Sequence, residues 1–271
     1  MVVQPLVVQP LVMGVLNVTP DSFSDGGRFF DPDHAVAHGE MLIAEGADVV
    51  DVGGESTRPG ATPVDAAEEC RRVLPVIEAL AGQVRVSVDT TKAEVAEAAV
   101  AAGATMINDV SASLLHVAAH AGVAWVAMHM QGDPRSMQDE PRYHDVVAEV
   151  RDVLVGRAEA ARAAGVDEVW IDSGIGFGKL HGHNLQLLAH LDALVATGFP
   201  VALGTSRKSS LGVLLARSGG VQAVPSEDRL EASLATVTWA MAQGVRMVRV
   251  HDVRATVHAA AVVAGEIPVA A

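Results

Sequence analysis

One unit recurs along nearly the whole chain and limits what it can fold into. A helix rich in Ala, Glu and Arg ends near a glycine, a short β-branched run follows, and the run stops at a polar residue. The glycine supplies the left-handed position that closes a helix. A Val/Ile run without polar alternation is a strand buried on both faces, as strands of parallel sheets are. Such runs are read at 12–16, ending at Asn17; at 49–52, carrying Asp51; at 84–88, ending at Asp89; and at 106–107, ending at Asn108. Four more follow at 125–128, ending at His129; at 169–171, ending at Asp172; at 201–203, leading into Ser206-Arg207-Lys208; and at 245–248, with Arg249 and His251 beyond. Helical stretches separate them, among them 33–45, 64–81, 92–102, 144–164 and 227–243.

Alternating strands and helices give a parallel sheet with right-handed crossovers. Eight strands in 271 residues point to an α/β fold of the (β/α)8 TIM-barrel type, a single domain over 12–265. Residues 1–11 read as an N-terminal extension in which Val-Val-Gln-Pro-Leu occurs twice. An open dinucleotide-binding sheet would announce a Gly-rich turn after its first strand, and Asn17-Val18-Thr19-Pro20-Asp21 is not one. A barrel builds its active site at the C-terminal ends of its strands, and here those ends carry Asp, Asn, His, Lys and Arg. Strands also stop at polar residues simply because loops are wet, which accounts for some of these positions.

The net charge of −14, from 19 basic and 33 acidic residues, shows no basic stripe for nucleic acid. Any cations that hold an anion must therefore be local. A single cysteine, Cys70, excludes an internal disulfide framework. No apolar run reaches the ~20 residues that span a bilayer, and the N-terminus lacks the features of a signal peptide. The expectation is a soluble, cytoplasmic protein with neither nucleic-acid nor membrane partners.

Asp89, Asn108 and Asp172 end strands three, four and six. Carboxylates and an amide there can read a flat heterocycle with adjacent donors and acceptors, and such a site rejects analogues that leave its polar atoms unpaired. Each could equally be a strand-end cap. Arg207, Lys208, Arg249 and His251 gather on strands seven and eight, where barrels often hold phosphate. The alternative is ion pairing with neighbours such as Asp252. Three loops, 17–28, 53–63 and 203–212, are rich in Gly, Pro, Ser and Thr, and the first two have the composition of loops that close over a ligand. Phe23 and Phe177 lie in strand-end loops and could sandwich a ring, although Phe is more often core. His129 and His251 lack the spacing of a tight zinc site. Mg2+ shared with a diphosphate needs only one or two protein oxygens.

Several segments closely resemble dihydropteroate synthases. They are Gly14 to Gly27 (GVLNVTPDSFSDGG), Asp51 to Gly60 (DVGGESTRPG), Ser87-Val88-Asp89-Thr90, Ile107-Asn108-Asp109-Val110, Met128-His129-Met130-Gln131-Gly132, Gly174 to Lys179, Ser206-Arg207-Lys208 and Arg249-Val250-His251-Asp252. The likeness runs in order from about Met13 to about Val263. It implies condensation of a dihydropterin diphosphate with p-aminobenzoate, release of diphosphate, Mg2+ as cofactor and a homodimer. It implies that Asp89, Asn108, Asp172 and Lys208 hold the pterin, and that Asn17, Arg58, Arg249 and His251 hold the diphosphate, Asn17 also as metal ligand. Phe23, Thr57, Arg58, Pro59, Phe177 and Ser209 would line the p-aminobenzoate site, and Asp89, Lys208 and Arg249 would carry catalysis. Two departures stand out: Ser173 where the family has proline, and a shortened segment after Ser111. A methyltetrahydrofolate-binding methyltransferase domain would keep the acids but not need the Ser-Arg-Lys cations. A degenerate pterin-binding paralogue without turnover is the non-enzymatic alternative.

Overall fold

The structure is a computed structural model and describes residues 9–19, 32–56, 62–132, 136–219 and 224–265. Eight strands close into one parallel barrel in chain order: β1 (Leu11–Asn17), β2 (Val49–Gly53), β3 (Arg85–Asp89), β4 (Met106–Asp109), β5 (Ala124–Met128), β6 (Val169–Asp172), β7 (Val201–Leu203) and β8 (Met247–Val250). Around it, among the described residues, run α1 (Pro32–Ala44), α2 (Ala66–Leu80), α3 (Ala93–Ala101), α4 (Leu115–Ala121), α5 (Val146–Ala163), α6 (His181–Ala189), α7 (Leu191–Val195), α8 (Ser209–Gly219), α9 (Leu230–Ala242) and α10 (Val253–Ala264). The barrel expected from the recurring unit is the barrel found.

Local signals explain the helix ends. The Asp65 carboxylate accepts from the Glu68 amide at 2.8 Å to start α2, and Asp145 accepts from the amides of Val147 and Ala148 to start α5. Gly122, at φ 65°, closes α4 in the left-handed conformation that a side chain would disfavour. The helices bury stripes such as Val73, Val76, Ile77 and Leu80 of α2 against the outward faces of the strands. A second, smaller cluster fills the barrel itself, with Met13, Val49, Met106, Ala124, Val126, Trp170, Ala202 and Met247. Below it Arg85 grips both oxygens of Glu168 at 2.8 Å, and Trp170 Nε1 donates to the same carboxylate at 2.7 Å. The barrel is thus packed through its lower half, and polar residues meet at the upper mouth.

Most strand ends shift by a residue or two from the sequence reading, and three of the shifts have a local cause. Leu11, the last residue of the duplicated segment, opens β1, because its amide already donates to Arg246 O at 2.8 Å. Val245 belongs to the turn after α9, its amide donating to Ala240 O, so β8 starts two residues later than expected and contains Arg249. β4 extends through Asn108 and Asp109. The short segment that follows is organised by Asp109, whose carboxylate accepts from Ser111 N, Ser111 Oγ, Leu114 N and Trp125 Nε1.

Candidate active site

Parallel register sets the level of each side chain at the mouth. Gly53 of β2 pairs with Asp89 of β3, and Asp89 pairs with Asn108 of β4. On the far side Met128 of β5 pairs with Asp172 of β6. Residues two apart on a strand share a face, so Asp51 lies one layer below Gly53 on the inward side. Gly53 carries nothing into the mouth; a Cβ there would sit 3.4 Å from the Asp89 Cβ.

The floor of the mouth is a charge network. Arg249 Nε donates to Asp51 Oδ2 at 2.6 Å, and its Nη2 donates to Asp89 Oδ2 at 2.7 Å. Asn108 Nδ2 donates to the same oxygen of Asp51 at 2.9 Å. Asp51 is fully buried, and its other oxygen has no hydrogen-bond partner among the described residues. One guanidinium therefore serves two carboxylates. Burial pushes the Asp89 carboxyl above the usual range; Arg249 opposes that shift and the Asp51 charge adds to it. Burial likewise works against the Arg249 charge, but the two acids outweigh it and hold the guanidinium protonated.

Across the mouth, Asp172 Oδ1 accepts from Gly174 N at 2.7 Å, and burial raises its carboxyl while that amide lowers it. Lys208 Nζ lies 4.2 Å from the centre of the Phe177 ring, over its face. The residue expected beside the pterin and the one expected beside p-aminobenzoate thus touch. Ser206 Oγ accepts from the His251 amide at 3.1 Å and lies 3.0 Å from its Nδ1. In the tautomer in which the hydroxyl donates to Nδ1, Nε2 carries the ring proton. Burial, then the neighbouring Arg249, holds His251 down to about 3, so the ring is neutral and offers an N–H rather than a charge. Arg207 forms a bidentate pair with Asp252 at 3.1 and 2.7 Å, the alternative that the sequence left open. It stands at φ 58°, a strained turn braced where its amide donates to Ser233 Oγ and Arg229 donates to its carbonyl.

The family profile described as pterin binding enzyme matches residues 13–251. The dihydropteroate synthase of Mycobacterium leprae is 51% identical over 262 residues, 93% of this chain and 92% of that one. The chain belongs to the dihydropteroate synthase family. Among solved structures, the Xanthomonas albilineans dihydropteroate synthase with 4-aminobenzoic acid superposes at a TM-score of 0.86 with 50% identity, covering 96% of this chain and 94% of that one. The same enzyme in complex with 7,8-dihydropteroate gives 0.83 with 47% identity, covering 96% and 95%. As a dihydropteroate synthase family member the chain is a transferase.

In this family setting, the remaining expected residues are placed as follows. Asn17 ends β1, half-buried, next to Gly53. Ser209 is exposed at the start of α8. Phe23, Thr57, Arg58 and Pro59 lie outside the described residues. Ser173, at the position of the family's proline, is fully buried and its hydroxyl has no partner among the described residues. No group of three or more His, Cys, Asp or Glu among the described residues could hold a metal, and no described helix is long and apolar enough to cross a membrane. Sequence reasoning passed over Asp51, which is central to the floor. The signal was there: a lone carboxylate inside Val-Val-Asp-Val is too costly to bury without a partner. It also passed over Ser206, which meets His251 beyond β8, and Lys179, which meets His129 beyond β5 and carbonyls of its own loop.

Proposed function

We propose that this chain joins a dihydropterin diphosphate to p-aminobenzoate and releases diphosphate, with the residues above in definite roles. The observation that carries the reading is the convergence of Asp89, Asn108 and Asp172 from three strand ends on one mouth that also holds the stacked Lys208 and Phe177. The carboxylates and the amide match the donor edge of a pterin, and Lys208 faces an acceptor. Arg249 and the Nε2–H of His251 face the diphosphate, joined by Arg58, and Phe177, Ser209, Phe23, Thr57 and Pro59 line the second subsite.

In the reaction the bond from the pterin methylene to the diphosphate oxygen breaks, and its electron pair leaves with diphosphate. The carbon gains positive character, which the ring delocalises and the ionised form of Asp89, the form that Arg249 favours, stabilises. The neutral amine of p-aminobenzoate forms the new C–N bond and loses its extra proton to water. Mg2+ belongs to this reading. The amide oxygen of Asn17 is the hard donor such an ion accepts alongside phosphate oxygens, and when bound the ion spreads the charge of the leaving group. The reading also makes the protein a cytoplasmic homodimer.

The test is diphosphate release from dihydropterin diphosphate with and without p-aminobenzoate. Release that depends on p-aminobenzoate, with dihydropteroate formed in step, is expected. Hydrolysis alone, or no release, would overturn it. Asp172→Asn presents a donor to a donor and should weaken pterin binding by ~2–3 kcal/mol in calorimetry; unchanged affinity would take Asp172 out of the site.

A further inference from the structure

The loop that follows β6 and carries Phe177 has four of its carbonyls held by side chains. Lys179 Nζ donates to Gly174 O at 3.1 Å and to Phe177 O at 2.9 Å. Gln138 Nε2 donates to Gly176 O at 2.5 Å, and Tyr143 Oη donates to Gly178 O at 2.8 Å. The Gly176 amide is also used, donating to Asn184 Oδ1 at 2.8 Å. Gln138 and Tyr143 both belong to the segment between β5 and α5. Lys179 reaches into that same segment, donating to His129 O at 3.2 Å with His129 Nδ1 at 3.0 Å. The two loops are in backbone contact, since a Cβ on Gly174 or Gly178 would run into the carbonyl of His129 or Gln131.

Lys179 is 3% exposed, and every hydrogen-bond partner it has here is a carbonyl or a neutral ring nitrogen. A buried lysine ordinarily needs a carboxylate beside it; burial lowers Lys179 to about 7, and the Asp172 charge works against that shift. Three carbonyls from two loops turn inward on its nitrogen. Without a donor at that point the carbonyls would face one another with nothing between them, and a buried acceptor left unmet is costly.

We infer that Lys179 is a positioning residue for the reaction: by gathering these carbonyls it fixes the Phe177 ring against Lys208, and with it the wall on which the p-aminobenzoate ring lies. The inference rests on the function proposed above. Asp89 and Asn108, on β3 and β4, make none of their hydrogen bonds to this loop, whereas Asp172 accepts from its Gly174 amide. Loss of Lys179 therefore falls first on the second substrate and, through Gly174 and Asp172, more weakly on the pterin.

Lys179→Met keeps most of the apolar stem of the side chain and removes its nitrogen. Its kcat/KM for p-aminobenzoate should fall about tenfold or more, the cost of a misplaced reactant. Its calorimetric affinity for dihydropterin, measured without p-aminobenzoate, should fall less, by about threefold at most. Equal losses for both ligands would make Lys179 a general support of the mouth and overturn the assignment, as would unchanged kinetics in the folded variant. Should Lys179→Met not fold, Tyr143→Phe and Gln138→Leu release the same loop from its outer side. Each should raise the KM for p-aminobenzoate about threefold with pterin affinity unchanged, and a KM that stays put in both would equally overturn it. A parent protein that forms no dihydropteroate would sink the proposed function. A parent that turns over beside an indifferent Lys179→Met would sink only the role of Lys179.

Discussion

At the scale of single residues, the floor is governed by the sharing of Arg249 between Asp51 and Asp89. Burial lifts the Asp89 carboxyl, Arg249 pulls it back, and the Asp51 charge lifts it further. Asp51→Asn removes that last contribution and leaves the guanidinium to Asp89 alone. The folded-state pKa of Asp89 should then fall toward the usual value. Because the ionised form is the one that faces developing positive charge, the acid limb of a plot of kcat/KM against pH should move to lower pH. The sign for stability is consistent: with a folded value above the unfolded one, the contribution from Asp89 is full below the unfolded value and lost as pH rises through the folded one. In Asp51→Asn that loss should be smaller and should level off at lower pH. A limb that stayed in place or moved up would mean that Asp51 does not tune Asp89.

At the scale of elements, the strand order and the polar strand ends were legible because a buried parallel strand is one apolar run and its last residue emerges at the mouth. Asp89, Asn108 and Asp172 could be picked out for that reason. Their partners could not be read, since Arg249 meets Asp51 across the barrel, 198 residues away in sequence. Arg207 is the same lesson inverted: it looked like an anion ligand and is engaged with Asp252, a pairing fixed by the turn after β7. Lys179 sat inside a recognisable motif, yet only the meeting of two loops shows why a lysine is buried there. That meeting yields a prediction. Gly178 stands at φ 59°, and a Cβ there would strike the Gln131 backbone, so Gly178→Ala must part the loops. A cost of ~2–3 kcal/mol is expected for such a clash, a fall in Tm of roughly 4–12 °C for a chain of this size. Gly182→Ala, on α6 with open space around it, should leave Tm unchanged or slightly higher. Equal melting of the two variants would show that the loops are not locked together.

At the scale of the whole molecule, the barrel floor and the β6 wall are built from strands and braced loops, whereas the segments expected to finish the second subsite, 17–28 and 53–63, are rich in Gly, Ser and Pro. Ordering such segments costs about 1–2 kcal/mol per residue, more than a ligand with one ring, one amine and one carboxylate can offset. Diphosphate, with Asn17 and Arg58 in the roles proposed for them, can. Titration of p-aminobenzoate should therefore give measurable heat only when pterin, Mg2+ and diphosphate already occupy the mouth; equal affinity for the empty protein would rule out this order. The pairing of the mouth cations has a kinetic consequence as well. Both substrates are anions, the chain carries a net charge of −14, and Arg249 and Arg207 are already neutralised by Asp51, Asp89 and Asp252. Seen from a distance greater than the ~8 Å over which physiological salt lets a charge be felt, the protein repels what it must capture. Encounter is then a matter of diffusion against a weak opposing field, and attraction begins only at contact. Added salt should speed the association of dihydropterin diphosphate in stopped-flow measurements, opposite to the behaviour of an enzyme that draws its substrate in from afar.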